Sequence, residues 1–488
     1  PPTTLAMHLK DKLLRNRIFK TVGEAADAVG RPCYVVGGYV RDMIIGRHSK
    51  DIDFVTVGSG IDLAQTVAGR LGRGAHVNVY RSYGTAQIRR GDLELEFVGA
   101  RRESYDRSSR NPVVEDGTLE EDIARRDFTI NAMAISVNAD NFGEVIDLYD
   151  GLSDIDKRII RTPLDPDITF SDDPLRMLRA VRFATQLDFT LAPETFEALR
   201  RNAQRVEILA RERIKDELFK IMAAPRPSTG WRLLHDSGLL QIILPELARL
   251  KGVDVVKGHG HKDNFLHTMG VLDAVAAKSD NIMLRWAALF HDIAKPQTKH
   301  FDPARGWTFH NHNFIGAKMI PGIFSRMKFP QGAEMRYVAK LVELHMRPIA
   351  LVEDEVTDSA VRRLANYAGD DLDDLMILAR ADITSKDEAK KQRFLANFDL
   401  VEEKIAVIKE KDRQRTRKFP VDGSEVMHIF GLPQGPQVGF FIKNLQNAIR
   451  ECDIDDTREA AIDYLYELGR RAGIEPVNPP YDQQQCTT

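Results

Sequence analysis

The segment VVGGYVRDMIIGRHSKDIDF, residues 35–54, constrains the chain more than any other stretch. An apolar, β-branched run ends on Gly37 and Gly38. A helical run follows, and a second apolar run opens with Asp51 and Asp53. The predicted unit is strand, glycine turn, helix, strand. Side chains two apart on a strand point the same way, so both carboxylates face one side of a sheet. Carboxylates held together repel one another, and divalent cations relieve that repulsion. Mg²⁺ suits such a pair because it takes oxygen ligands and leaves room for substrate phosphates. Gly37 and Gly38 let the backbone approach a phosphate, and the helix start offers free N–H groups. Arg41 adds a fork-shaped cation suited to phosphate. A bare DxD also fits a solvated loop, but GGxVRD followed by DxD is far more restrictive.

The other strand signals lie in the first 150 or so residues: 33–37, 51–57, 93–98, 133–137 and 144–148. With helical patterns at 20–29 and 61–71 they predict a small mixed sheet with helices. In LELEFV at 93–98, Glu94 and Glu96 share a face. Either can be a third carboxylate that takes a hydroxyl proton or supports a metal, and either can equally be a solvated strand position. From about residue 155 the chain reads as helix after helix, at 172–187, 193–204, 211–223 and 228–237. The stretch KGHGHKDN at 257–264 marks a boundary. The tail after Pro476 reads as disordered, and no internal repeat is visible.

Histidines concentrate in the next part. His267 is followed by His291–Asp292, by His310 and His312, by His345, and then by Asp382. Imidazoles and carboxylates together suit transition-metal ions, and a metal-bound water can attack a phosphoester. Each histidine alone is more simply a packed or surface residue. The net charge is −3, from 69 basic and 72 acidic residues. A nucleic-acid site must therefore be a local patch. The basic run at Lys409, Lys411, Arg413 and RTRK, 415–418, is one candidate, and a solvated helix face is its ordinary explanation. No apolar run reaches the ~18–20 residues of a membrane span, and the first twenty residues show no apolar core of a secretory signal. Cys33, Cys452 and Cys486 form no CxxC pair and fit a reducing cytoplasm. Cys33 reads as a core thiol.

Several motifs occur together in one order: the 35–54 segment, RRDFTINAMAI at 125–135, DLYDGLSDIDKRIIRT at 147–162, DDPLRMLRAVRFA at 172–184 and RERIKDELFKIM at 211–222. This set resembles the class II nucleotidyltransferases, which comprise CCA-adding enzymes and bacterial poly(A) polymerases. The resemblance implies an α+β protein. A polymerase-β-like nucleotidyltransferase head with a small mixed sheet comes first, followed by all-α neck, HD and C-terminal regions. It implies that Asp51 and Asp53 bind Mg²⁺, that Glu96 is the third carboxylate, and that Arg126, Asp127 and Asn131 hold ribose and triphosphate. This chain has EFVGAR where a threonine pair is commoner, and Asp172 where the family has Glu.

Asp173 and Arg176, three apart, are expected on one helix face, with Arg179 and Arg182 continuing the stripe. An acceptor beside donors matches the edge shared by cytosine and adenine, so one pair can accept both CTP and ATP. A plain surface salt bridge is the alternative, and Arg179 or Arg182 can instead be structural or contact phosphate. The histidine set resembles an HD-domain phosphohydrolase. That implies His267, His291, Asp292 and Asp382 as ligands, with His312 and His345 completing a second position and His310 outside it.

The expected boundaries are 1–154 for the head, 155–250 for the neck, 251–395 for the HD region, 396–475 for a C-terminal RNA-contact region and 476–488 for the tail. The resulting expectation is a cytoplasmic enzyme that adds or repairs the CCA end of tRNA, with possible HD phosphohydrolase activity. The alternatives are a poly(A) polymerase or partial CCA adder, a phosphohydrolase with a nucleotide-binding head, and an RNA-binding protein without catalysis.

Overall fold

The computed structural model describes residues 4–353, 356–383, 387–415, 418–451 and 453–482. The head strands are β1 (Cys33–Val36), β2 (Asp51–Thr56), β3 (His76–Tyr80), β4 (Thr85–Arg90), β5 (Leu93–Gly99), β6 (Arg101–Ser104), β7 (Val113–Asp116), β8 (Ala134–Ser136) and β9 (Val145–Ile146). Seven of them form one mixed sheet in the order β3-β4-β5-β2-β1-β8-β9, and β6 with β7 forms a separate ribbon. The only parallel pair in the seven is β2 with β5, because helix Gly60–Leu71 lies between them in the chain. That helix packs closely enough that a Cβ on Gly60 would lie 2.8 Å from the Val98 carbonyl carbon.

The alternation along β2 separates its two faces. Ile52 and Phe54 point into a core with Phe19, Val22, Leu63 and Phe97. The rings of Phe54 and Phe97 stack at 5.1 Å. Each buried aromatic of this kind contributes roughly 1.5–3 kcal/mol. The opposite face of the strand carries Asp51, Asp53 and Val55. Val55 joins a smaller cluster with Val36, Ile123 and Ala134. One strand thus anchors itself on one side and presents carboxylates on the other. Cys33 is fully buried in the first core, and that burial pushes its thiol pKa up.

Helices fill the rest of residues 4–398, with three two-stranded ribbons at Ile159–Ile160/Thr190–Leu191, Val255–Val256/His259–Gly260 and His300–Asp302/Gly306–Thr308. Residues 1–398 and 399–488 are separate compact units. The second unit has its own core around Val426, Phe430, Phe441 and Leu465.

The described part of the tail is not loose, contrary to expectation. Val477 N–H donates to Ile429 O at 2.7 Å, and the Tyr481 ring stacks on His428 at 4.5 Å. The Tyr481 amide donates to Glu425 at 2.9 Å, a carboxylate that also pairs with Arg458. A polar composition hid these tethers, because most of them use backbone groups. Cys452, Cys486, Thr416 and Arg417 lie outside the described residues, as does the side chain of Arg415. Arg413, in the basic run, pairs with Glu410 at 2.9 Å.

Candidate functional sites

The register of β2 and β5 builds the first site. Asp51 stands beside Glu94, and Asp53 beside Glu96, on adjacent parallel strands. All four carboxylates therefore share one face. Glu94 is satisfied by Gln87 and Arg89 across the neighbouring strand. Among the described residues, no side chain hydrogen-bonds or ion-pairs with the carboxylate groups of Asp51, Asp53 or Glu96, although the Ser49 hydroxyl donates to the Asp51 carbonyl at 3.3 Å. Burial pushes the Asp53 carboxyl up, and Asp51 and Glu94 add to that against the pull of Arg126. Burial also raises Glu96, and Asp53 reinforces the effect. Three carboxylates at neighbouring positions on one sheet face have the donor chemistry for a divalent ion, while among the described residues only sets in the helical region bring three or more ligand atoms within 4.8 Å of one another.

The glycine turn faces this trio. Gly37 has φ +72°, a region that favours glycine. A Cβ there would lie 3.5 Å from Arg126 Nη1 and 3.9 Å from Asp53 Oδ2. Helix Gly38–Ile45 begins at the next residue. Arg126 is steadied from behind by Asp122, whose Oδ1 accepts from its Nη2 at 3.1 Å. Asp122 is fully buried. It also accepts from Arg125 at 3.2 Å and from the Arg101 amide at 3.1 Å, just beyond the strand that bears Glu96.

A second chain of contacts runs from the turn to the neck. Arg41 donates to Asn131 at 2.7 Å, Asn131 donates to Asp127 at 3.2 Å, and Arg179 donates to Asp127 at 2.7 Å. Burial alone would raise the Asp127 pKa, but Arg179 and Asn131 outweigh it and hold it at about 2. Arg41 and Arg179 both lie over the Phe183 ring, at 5.0 and 5.2 Å.

The expected Asp173–Arg176 arrangement needs correction. Helix Pro166–Asp172 ends before Asp173, which is extended (φ −132°, ψ 97°), and the next helix starts at Leu175. Pro174 supplies the break, since it disfavours helical geometry in the residue before it. The two side chains are not an intrahelical pair. Arg110, from the β6–β7 connection, grips Asp173 with two bonds of 2.9 and 3.2 Å. Arg176 donates to Arg125 O at 2.9 Å and to the Tyr105 hydroxyl at 3.3 Å. Asp172 and Arg176 line a cavity of about 260 Å³ with Glu103, Tyr105 and Thr169. Arg182 turns to Glu217 on helix Arg211–Met222, a buried pair.

The second site lies among five helices. His267 sits on helix Asn264–Lys278, and His291–Asp292 closes helix Ile282–Phe290. His312 opens helix His312–Met327, His345 follows helix Ala333–Leu344, and Asp382 ends helix Leu372–Asp382. Two donor sets result: His267, His291, Asp292 and Asp382, and Asp292, His312 and His345. Asp292 belongs to both. Its Oδ2 lies 3.2 Å from His291 Nε2, and its Oδ1 lies 3.2 Å from His312 Nε2. His310 is exposed and outside both sets.

The donor set fits metal ions. His291, His312 and His345 each place Nδ1 against a backbone carbonyl, at 2.6, 2.9 and 2.5 Å, which turns Nε2 inward. Such outer partners are what fix a metal-binding imidazole. Burial pushes His291 down, but Asp292 and Asp382 outweigh it and carry it up to about 10. Burial opposes ionisation of both carboxyls, yet His291 above all holds them well below the usual range. The carboxylates demand positive charge at their centre. Lys262 and Lys295 join this cluster around a cavity of about 180 Å³, and Lys295 Nζ lies 3.0 Å from Asp292.

Family models match the regions that carry both clusters. The Poly A polymerase head domain model matches residues 33–161, the model for the probable RNA and SrmB-binding site of polymerase A matches 188–251, and the HD domain model matches 264–387. An A-adding tRNA nucleotidyltransferase of Deinococcus radiodurans is 31% identical over 87% of this chain and 93% of its own. The chain belongs to the tRNA nucleotidyltransferase family. A CC-adding tRNA nucleotidyltransferase of Thermus thermophilus is 33% identical over 90% of this chain and 95% of its own. A solved tRNA nucleotidyltransferase, complexed with a primer tRNA and an incoming ATP analog, superposes with a TM-score of 0.56 at 25% identity. It covers 80% of this chain and 99% of that one.

In this nucleotidyltransferase, sequence reasoning missed Asp122, Arg110, Tyr105, Glu217, Lys262 and Lys295 as neighbours of the expected residues. Two had a local signal. Asp122 precedes Arg125 and Arg126 by three and four positions, and Lys295 follows Asp292 by three. Arg110 had none, since 63 residues separate it from Asp173.

Proposed function

We propose that this enzyme completes the CCA end of tRNA, transferring nucleotides from CTP and ATP to the RNA 3′ end. One observation carries the reading: Asp51, Asp53 and Glu96 stand together without cationic partners of their own, opposite the Gly37 turn and Arg126. Asp51 and Asp53 would hold Mg²⁺, with Glu96 beside them. Such ions, when bound, activate the attacking 3′-hydroxyl and neutralise the leaving pyrophosphate. Gly37, Gly38, Arg41 and Arg126 receive the triphosphate, while Asp127 and Asn131 orient the ribose. Arg179 holds Asp127 in its ionised, accepting form. Asp173 and Arg176 select the base, and Arg182 braces their helix through Glu217.

The work divides along the chain. The head is 1–154, the neck 155–250, the HD region 251–395 and a C-terminal RNA-contact region 396–475. In the HD region, His267, His291, Asp292, Asp382, His312 and His345 would hold transition-metal ions. A metal bound there would supply Lewis-acid activation of water for phosphoester hydrolysis at damaged RNA ends. Among the described residues no helix is long and apolar enough to cross a membrane, and the enzyme meets its tRNA in the cytoplasm.

The A-adding and CC-adding names of two full-length relatives favour one second reading, in which the chain performs only part of CCA addition. Extension of tRNA ending before CCA, and of tRNA ending in CC, with CTP, ATP or both, separates the readings. CCA addition requires both nucleotides on the first substrate. An A-adder extends only the second, and long tails from ATP alone would sink the proposal.

A further inference from the structure

A basic cleft beside the carboxylate trio has no role in the account so far. It has a volume of about 620 Å³, and its lining includes Lys12, Arg47, His48, Ser49, Lys50 and Asp92. The connection at 46–50 begins where Gly46, at φ +89°, ends helix Gly38–Ile45, and it leads straight into Asp51. Ile52 forms part of the cleft wall. Asp51 and Asp53 point to the opposite face of the same strand. The connection therefore runs from the cleft, on one face of the sheet, to the start of the central strand whose other face bears the carboxylates.

The charges in the cleft are unevenly committed. Lys12 donates to Met43 O at 3.0 Å and Arg47 to Gln186 O at 3.1 Å. His48 and Lys50 are exposed and have no hydrogen-bond or ion-pair partner among the described residues. Three permanent cations and a histidine thus face one carboxylate, Asp92. The triphosphate side of the site is already supplied by Gly37, Arg41 and Arg126. An RNA strand that delivers its 3′-hydroxyl to Asp51 and Asp53 must bring its own phosphodiesters past a carboxylate cluster that repels them. The loop at 46–50 supplies cations at the entrance of that strand.

Resting on the reading of the head as an RNA 3′-end nucleotidyltransferase, we infer that this cleft binds the phosphodiester backbone of the primer RNA just upstream of its 3′ end. The contact is to phosphate and independent of sequence.

The test uses the full-length enzyme and an unmodified tRNA transcript lacking CCA. His48→Ala with Lys50→Ala should raise the KM for RNA about 10-fold near 0.1 M salt. Lys50→Ala alone should lower the salt slope of RNA binding by about 1. The KM for CTP and the kcat at saturating RNA should stay within about 2-fold. Asp92→Asn, which removes the opposing charge, should lower the KM for RNA, an outcome that misfolding does not produce. An unchanged KM for RNA in all three variants overturns the cleft. So does an effect confined to inhibition by pyrophosphate, which would make it a product site. If the unmutated enzyme extends no RNA, the proposed function fails, and the cleft fails with it.

Discussion

The two acidic centres solve the same electrostatic problem in opposite ways. At the head, Asp53 and Glu96 are buried enough for their pKa values to rise, and the pull of Arg126 and Arg101 does not reverse it. At the HD centre, Asp292 and Asp382 are buried more deeply, yet both lie far below the ordinary range because His291 stands between them. Burial pushes both pairs the same way, and the neighbours decide the outcome. The head remains poised for repeated charge traffic, whereas the HD centre is built closed around charge it keeps.

The sharpest way to break this contrast is to remove the head carboxylates. Asp51→Asn with Asp53→Asn should cut nucleotide addition on the order of 10⁴-fold and leave HD-site metal content unchanged. Survival of extension in that variant would move the reaction elsewhere.

Metal content sharpens the other side. Asp292 serves both donor sets, whereas His345 serves one. Asp292→Ala should therefore lose both ions and His345→Ala only one, by elemental analysis of the purified protein. Phosphohydrolysis should vanish in the first variant, and tRNA extension should change by less than about 2-fold in either. Equal metal loss from the two variants would refute the shared carboxylate.

Asp127 is the head's own internally compensated carboxylate. Its pKa is about 2 in the fold against an ordinary 3.8. Its stabilisation is complete above about pH 4 and fades as the pH falls towards 2, a difference of about 2 kcal/mol. Urea unfolding should show a steeper loss between about pH 4 and 2 for the native chain than for Asp127→Asn. Parallel curves would show that Arg179 does not depress it.

The smallest effect concerns base choice. Arg110→Ala should release Asp173 and change the ratio of kcat/KM for CTP and ATP by about 5-fold, equivalent to roughly 1 kcal/mol. An unchanged ratio would mean that the Arg110 grip is structural.

What the sequence revealed followed from periodicity and spacing. Residues 33–37, 51–57 and 93–98 match β1, β2 and β5 within a residue or two, because their apolar alternation is strong. The edge strand β3 and its neighbour β4 were not anticipated, since HVNVY and TAQIRR are half exposed and carry few apolar residues. The HD donors were legible as an ordered set, but the sharing of Asp292 depends on how five helices converge. At 172–176 the helical pattern misled, although Pro174 was there to be read. Long-range ion pairs such as Arg110–Asp173 and Arg182–Glu217 leave no local trace.

Asp122 links two halves of the head that otherwise look independent. Its carboxylate holds Arg126 on one side and the amide that follows the Glu96 strand on the other. A change at Asp122 would disturb Arg126 and the backbone that follows the acidic strand together. The two halves are tied at one fully buried carboxylate, so a substitution on either side is transmitted to the other.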